Sequence, residues 1–156
     1  MITNSVANGI LNMICGKQSS VGVTNIGNAY LGLSSTAPNA DGTGFTEPGS
    51  GTGYSRVLIG LYTQSATQAM DAASNGKITN SKEIHFNAVN ADTTWGTLTH
   101  AGVFTSATGG NLLIAGKLGY YDDQDVWHDQ PITPTGNQVV TLKTESINFS
   151  FEDINQ

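Results

Sequence analysis

The densest chemistry in this chain lies in "YYDDQDVWHDQ", residues 120–130. Asp122, Asp123, Asp125 and Asp129 crowd together there, flanked by Tyr120, Tyr121, Trp127 and His128. Four readings suit such a segment. A solvated hairpin tip, whose acids keep the protein soluble, comes first. Recognition comes second: aromatic faces meet sugar rings or a partner subunit while Asp and His bond hydroxyls. Its contact set is Tyr120, Tyr121, Asp123, Asp125, Trp127 and His128. Calcium comes third, since four carboxylates are present, although the EF-hand order D-x-[DN]-x-[DN]-G is broken at Trp127 and His128. Glycoside hydrolysis comes last. It needs two carboxyl groups about 5–5.5 Å or about 6.5–9.5 Å apart, and such pairs usually come from distant segments on rigid elements.

Elsewhere the reactive residue types are sparse. His85 and His100 alternate with apolar residues and face a surface or an interface. No H-x-H, HExxH or CxxC spacing occurs, so no zinc site is assigned. No G-x-S-x-G elbow occurs, and the single cysteine, Cys15, lies in an amphipathic segment where packing suits it better than nucleophilic attack. The run Gly49, Gly51, Gly53 leads into "YSRVLIGLY", which reads as a strand, so it is a flexible loop and not a dinucleotide fingerprint. The sequon Asn148-Phe149-Ser150 is a chance match within a strand. No catalytic, cofactor-binding or metal-ligating residue is assigned, and no cofactor is expected.

Composition narrows the class. Charged residues make up 12% of the chain, about half the roughly 25% usual in soluble domains. Gly, Thr, Asn and Ser supply 65 of 156 residues, so hydroxyls and amides cover the surface where ions usually would. With six Lys and Arg and a net charge of −6, no cationic cluster exists to displace counterions from nucleic acid. No stretch approaches the ~20 apolar residues of a membrane span. One cysteine allows no intrachain disulfide framework. "MITNSVANGILNMICG" lacks the basic and continuous apolar regions of a signal peptide, which implies folding in the cytoplasm.

The elements that position these residues follow from periodicity. Ile2, Val6, Ile10, Met13 and Ile14 recur at helical spacing, predicting a helix over 1–16 with Gly16 at its C′ position. Its Ile2, Val6, Ile10 and Ile14 stripe is the expected assembly face. Beyond it the period becomes two. "AYLGLSS" (29–35), "YSRVLIGLY" (54–62), "EIHFNAV" (83–89), "TLTHAGVFT" (97–105), "NLLIAGKL" (111–118), "QVVTLK" (138–143) and "SINFSFE" (146–152) read as strands. "SATGG" joins two of them as a hairpin with positive φ at its glycines. Ala66, Ala69, Met70 and Ala72 allow a helical turn within the polar stretch 63–82. The expected fold is all-β: an antiparallel sandwich over 29–152, jelly-roll-like in its strand spacing, behind a short N-terminal α-helix, in one domain overall.

Three stretches carry a resemblance: Tyr30 to Pro38 ("YLGLSSTAP"), Glu47 to Arg56 ("EPGSGTGYSR") with Ile84 to Phe86 ("IHF"), and Trp95 to Leu113 ("WGTLTHAGVFTSATGGNLL"). Together they resemble a family of small tailed-bacteriophage virion proteins known as tail fibre proteins, over roughly residues 1–118. Thr105 stands where members often carry Asp, and Gly119 to Pro134 departs from the usual Ser/Thr/Ala-rich continuation. The resemblance implies scaffold roles for Trp95, His100, Phe104 and Asn111. It also implies a non-enzymatic structural protein of the virion exterior, a tail fibre or baseplate-type component made in the host bacterial cytoplasm. Expected partners are its own copies, with a trimer favoured, other virion proteins and a host-surface glycan; nucleic acid and membrane are not expected. A capsid decoration or head-fibre protein is the alternative within this class. A carbohydrate-binding module or glycan-active enzyme is the alternative outside it.

Overall fold

A computed structural model describes residues 4–17, 27–61 and 69–150, with helix side chains from Asn8 onward. The fold is all-β with one short helix, and the strand ladders resolved by register are antiparallel. Elements run α1 (Asn4–Ile14), β1 (Ala29–Ser34), β2 (Val57–Gly60), β3 (Lys77–Thr79), β4 (Ile84–Ala88) and β5 (His100–Phe104). They continue with β6 (Leu112–Lys117), β7 (Gly119–Tyr121), β8 (Trp127–Asp129), β9 (Val139–Leu142) and β10 (Asn148–Ser150). One sheet has the order β2-β1-β5-β6, and the remaining strands pair as β10-β3, β4-β9 and β7-β8. The chain forms two compact units, each assembled from separated segments. One comprises Met1–Tyr30, Leu58–Ile84 and Thr141–Gln156; the other comprises Leu31–Val57 and His85–Val140.

In the first unit α1 packs on β3. The helix ends as its sequence implies. Gly16 sits at φ 71°, Gly16 N–H donates to Met13 O at 3.1 Å, and Lys17 N–H donates to Asn12 O at 2.7 Å. That pair of bonds is a Schellman cap, which satisfies the last carbonyls of the helix. Gly60 of β2 lies directly against this cap, where any Cβ would collide with the Cys15 carbonyl. Leu11 and Cys15 are the fully buried helix side chains, while Ile10 and Ile14 are half-buried. Ile2 and the Val6 side chain lie outside the described residues. Among the described helix side chains, Asn8 and Asn12 stand beside Leu11 and Cys15. Their amides tie the helix down: Asn8 Oδ1 accepts from Gly76 N–H at 2.6 Å and Asn12 Oδ1 from Ala73 N–H at 2.8 Å. A period count that scores Asn as outward misses this, because a hydrogen-bonded amide is a tolerated inward residue. Desolvation pushes the Cys15 thiol up to about 12, with Lys17 opposing.

The same unit contains a wholly buried polar side chain, Asn80. Its Nδ2 donates to Lys82 O (2.9 Å) and Lys143 O (2.6 Å), and its Oδ1 accepts from Ile147 N–H (2.8 Å). One amide thus ties the end of β3 to the turn before β10, where Phe149 pairs with Ile78. The helical turn expected around residues 66–72 falls partly outside the described residues. Within them, Met70 instead bridges Asn80 in antiparallel fashion.

The second unit centres on β1, β5 and β6. Leu31, Gly32, Leu33 and Ser34 are all buried. β1 is an internal strand with cover on both faces, so its two-residue alternation marks no solvent side. β5 and β6 form the expected hairpin, pairing His100 with Lys117 through Val103 with Ile114, with a bulge before Phe104 and Leu112. Gly109 and Gly110 take the positive φ of its turn. Trp95 is buried, its indole N–H donating to Thr52 O at 2.9 Å, its ring edge-on to Tyr54 (5.2 Å) and Phe86 (6.2 Å).

A charged node holds this unit together. Arg56 forks onto Glu47, Nε to Oε1 at 2.9 Å and Nη2 to Oε2 at 2.6 Å. Its Nη1 donates to the hairpin-turn carbonyls of Ser106 (2.9 Å) and Gly109 (2.6 Å), and its guanidinium lies 3.4 Å over the Phe104 ring. Tyr54 O–H donates to Glu47 Oε1 at 2.7 Å and accepts from Leu33 N–H at 2.8 Å. The Glu47 and Arg56 side chains are 23% and 8% exposed, so this pair escapes most of the screening that weakens surface ion pairs.

Two outcomes are expected in urea denaturation. Trp95→Ala lowers the unfolding free energy by about 3–5 kcal/mol, the cost of removing a buried large aromatic. Glu47→Gln costs about 3–5 kcal/mol, because it leaves the Arg56 guanidinium in place without its counter-charge.

Candidate functional site

β7 and β8 form a small ribbon, pairing Gly119 with Asp129, Tyr120 with His128 and Tyr121 with Trp127. The local sequence dictates its turn. Asp125 N–H donates to Asp122 O (3.1 Å), Asp122 N–H to Val126 O (3.1 Å), and Asp125 takes a left-handed φ of 57°, which Asp accepts more readily than most residues. Asp122 Oδ1 accepts from the backbone N–H groups of both Gln124 and Val126 at 2.9 Å. The other oxygen, Oδ2, accepts from His128 Nε2 at 2.8 Å. The His128 bond, then the two backbone donors, hold the Asp122 carboxyl below the usual aspartate value.

On the opposite side Asp129 Oδ2 meets Lys117 Nζ at 3.0 Å, and its Oδ1 accepts the Trp127 indole N–H. These two contacts, Lys117 foremost, also lower the Asp129 pKa. Trp127 lies over Gly119, where a Cβ would collide with the indole. The rings form two orderly pairs: Tyr120 stacks on His128 at 5.2 Å, and Tyr121 meets Trp127 edge-to-face at 5.1 Å. Each ring is thereby braced by its neighbour across the ribbon.

Of the residues singled out in the sequence, the ribbon brings Tyr120, Tyr121, Trp127, His128, Asp122 and Asp129 into one constellation. Asp123 and Asp125 sit in its exposed turn. Asp122 spends its oxygens on bonds within the ribbon and Asp129 on Trp127 and on Lys117 of β6, and among the described residues no three His, Cys, Asp or Glu converge on a metal-sized point. His100 pairs with Lys117 beside the Lys117–Asp129 contact, its Nδ1 2.8 Å from Thr99 Oγ1. Asn111 contributes its backbone to the hairpin turn, accepting from Thr105 N–H. The sequence reading did not single out Lys117 or the Glu47–Arg56 pair. For the pair a signal was present, since both residues bracket the motif "EPGSGTGYSR".

The surface presented is apolar. Tyr120, Tyr121, Val126 and Trp127 are 51%, 64%, 50% and 37% exposed, and Val139 is the one other large apolar side chain exposed among the described residues. Isolated exposed apolar residues are ordinary, whereas four on one short ribbon stand out from the rest of the described surface.

The family model for Gp80, described as podophage GP4 fiber I protein gp80, matches residues 1–123. No curated protein matches the chain. The match includes α1, the charged node, the β5–β6 hairpin and β7, and it stops inside the turn of the ribbon.

Asp122→Ala is expected to free the turn, seen as faster amide exchange over 119–129 with global unfolding nearly unchanged. Acid should do the same. A lowered carboxyl pKa contributes its full stabilisation above the ordinary aspartate value of 3.8 and loses it as pH falls below that value. The Gln124 and Val126 amide resonances, whose N–H groups bond the Asp122 carboxylate, should therefore shift at acid pH in the native chain and not in Asp122→Ala, whereas the Trp127 indole resonance, bonded to Asp129, should shift in both.

Proposed function

The chain belongs to the Gp80 family of podophage fibre proteins, and on that premise we propose that it is a non-enzymatic fibre subunit of the virion exterior whose β7–β8 ribbon contacts a host-surface glycan. The observation that carries this reading is the ordered aromatic surface of the ribbon. Tyr121 and Trp127 offer flat apolar faces, and Asp123 and Asp125 stand beside them as acceptors for hydroxyl groups. Loops and short ribbons on a rigid β scaffold are where recognition is placed, because they vary without disturbing the core. The segment's position, at and beyond the end of the matched region, agrees with that division of labour. A catalytic role finds less support, since Asp122 and Asp129 are engaged in holding the ribbon.

The test separates assembly from adsorption. Virions carrying Tyr121→Ala with Trp127→Ala should keep their fibres by electron microscopy, yet adsorb to host cells at least about tenfold less well, as expected on truncating aromatic anchors. Soluble host polysaccharide should compete with native virions for adsorption. Full adsorption by fibre-bearing variant particles would overturn the glycan role. Loss of fibres from the particle would transfer the ribbon to an intersubunit contact.

A further inference from the structure

We infer that Asn75 is a latent deamidation site, held shut in the native fold by the side-chain amide of Asn8. The chain contains two Asn–Gly pairs, Asn8–Gly9 and Asn75–Gly76. Such pairs are weak points of a backbone in water. Glycine sets no side chain beside its own nitrogen, so that nitrogen can reach the carboxamide of the asparagine before it. In the reaction the Gly76 nitrogen gives its proton to solvent base and bonds to Cγ of Asn75. The Cγ–Nδ2 bond breaks, the amide leaves as ammonia, and a succinimide ring is closed. Water then opens the ring at either carbonyl, giving aspartate or isoaspartate. Water is the one co-reactant, and nothing is oxidised or reduced.

Both the site and its latch are visible in the turn before β3. Ser74 N–H donates to Lys77 O at 2.9 Å and Lys77 N–H to Ser74 O at 3.0 Å, which leaves Asn75 and Gly76 as a two-residue loop. Both take positive φ, 51° and 72°, as the type I′ turn favoured by this dipeptide requires. Asn75 is exposed, and its amide makes no hydrogen bond among the described residues. The leaving group is therefore open to water. Gly76 is the opposite. It is buried, and its N–H donates to Asn8 Oδ1 at 2.6 Å. A nitrogen that attacks must shed its proton and turn toward the Asn75 side chain, whereas this one is bonded through its proton to an acceptor on α1.

The other pair is closed differently. Gly9 lies inside α1, where its N–H is an intrahelical donor. One Asn–Gly pair is thus sheltered by a helix, and its asparagine guards the nitrogen of the second. Loss of that guard has a lasting effect. Isoaspartate at position 75 would lengthen the loop by one main-chain carbon, disturbing the Ser74–Lys77 bonds where β3 begins its pairing with β10. Time spent with the turn unlatched from α1 is thereby written into the chain as a covalent mark. The inference is independent of the glycan reading.

Peptide mapping of the full chain, incubated at mildly alkaline pH and followed by isoaspartate content at residue 75, tests it. The native chain should modify Asn75 at least about tenfold more slowly than the same chain in urea, the factor that one held hydrogen bond allows. Asn8→Ala should raise the native rate by about the same tenfold factor, and Asn8→Asp, which keeps an acceptor, should restore it. Asn12→Ala removes the companion bond to Ala73 N–H and should leave the rate at Asn75 unchanged, which separates a latch from general loosening of α1. Equal rates in the native and unfolded chains, a folded Asn8→Ala chain with the native rate, or equal acceleration by Asn12→Ala would each overturn the inference. Should Asn8→Ala fail to fold, amide exchange of the native chain decides: the Gly76 N–H must be protected, and free exchange there overturns the inference.

Discussion

The fork of Arg56 on Glu47 is the interaction from which the second unit is organised. Three pieces of chain that share no local sequence meet there: the loop before β2, the backbone of β1 through Tyr54, and the turn between β5 and β6. A guanidinium suits this junction because its donors diverge in a plane. Two go to a carboxylate and another group goes to carbonyls, while the face remains for Phe104. A lysine would supply charge without that geometry. Gly32 belongs to the same design, since a side chain on it would run into Glu47, Phe104 and Tyr54. The ordered but chemically quiet stretch from Trp95 to Leu118 is accounted for here. Its glycines and aromatics accommodate a buried charge and a tight turn, neither of which requires a catalytic residue.

The first unit solves a similar problem with neutral groups. Asn80, Asn8 and Asn12 each bring a carbonyl or amide into the interior and have it satisfied by backbone. This explains how a chain with few charges and many Asn, Ser and Thr residues sustains a fold without disulfides. Its polar residues are internal connectors as well as surface cover. Networks of this type specify one arrangement strongly, since a shifted register strands a buried donor.

Much of this was readable in the sequence, and the failures share a cause. The β5–β6 hairpin, the Gly16 cap and the buried Trp95 each depend on local rules of turn, cap and size, and each is found as expected. On α1 the inward bonds of Asn8 and Asn12 were not legible, because an amide adds nothing to an apolar period. β1 was read with a two-residue alternation, yet side chains cover both of its faces, Glu47, Tyr54 and Phe104 closing over Gly32 on one of them. β3 was missed because three residues, Lys77 to Thr79, carry too little pattern to reveal a strand that exists through pairing with β10. For the candidate site, the composition of 120–130 was legible, while its order was not. Nothing in the spelling of the segment tells that Asp122 and Asp129 are consumed in rigidifying it, or that Lys117 is drawn into it.

Cys15 carries a consequence for the life of the particle. Its sulfur is sealed beneath the helix cap with a pKa near 12, so at neutral pH almost none of it exists as thiolate, the form that attacks disulfides or reacts with oxidants. A fold with that one cysteine has no bond to form on leaving a reducing interior and none to lose on returning to one. Its covalent structure is the same on both sides of the host envelope. Air oxidation finds no reactive sulfur in this unit, so its packing is indifferent to the redox state around it.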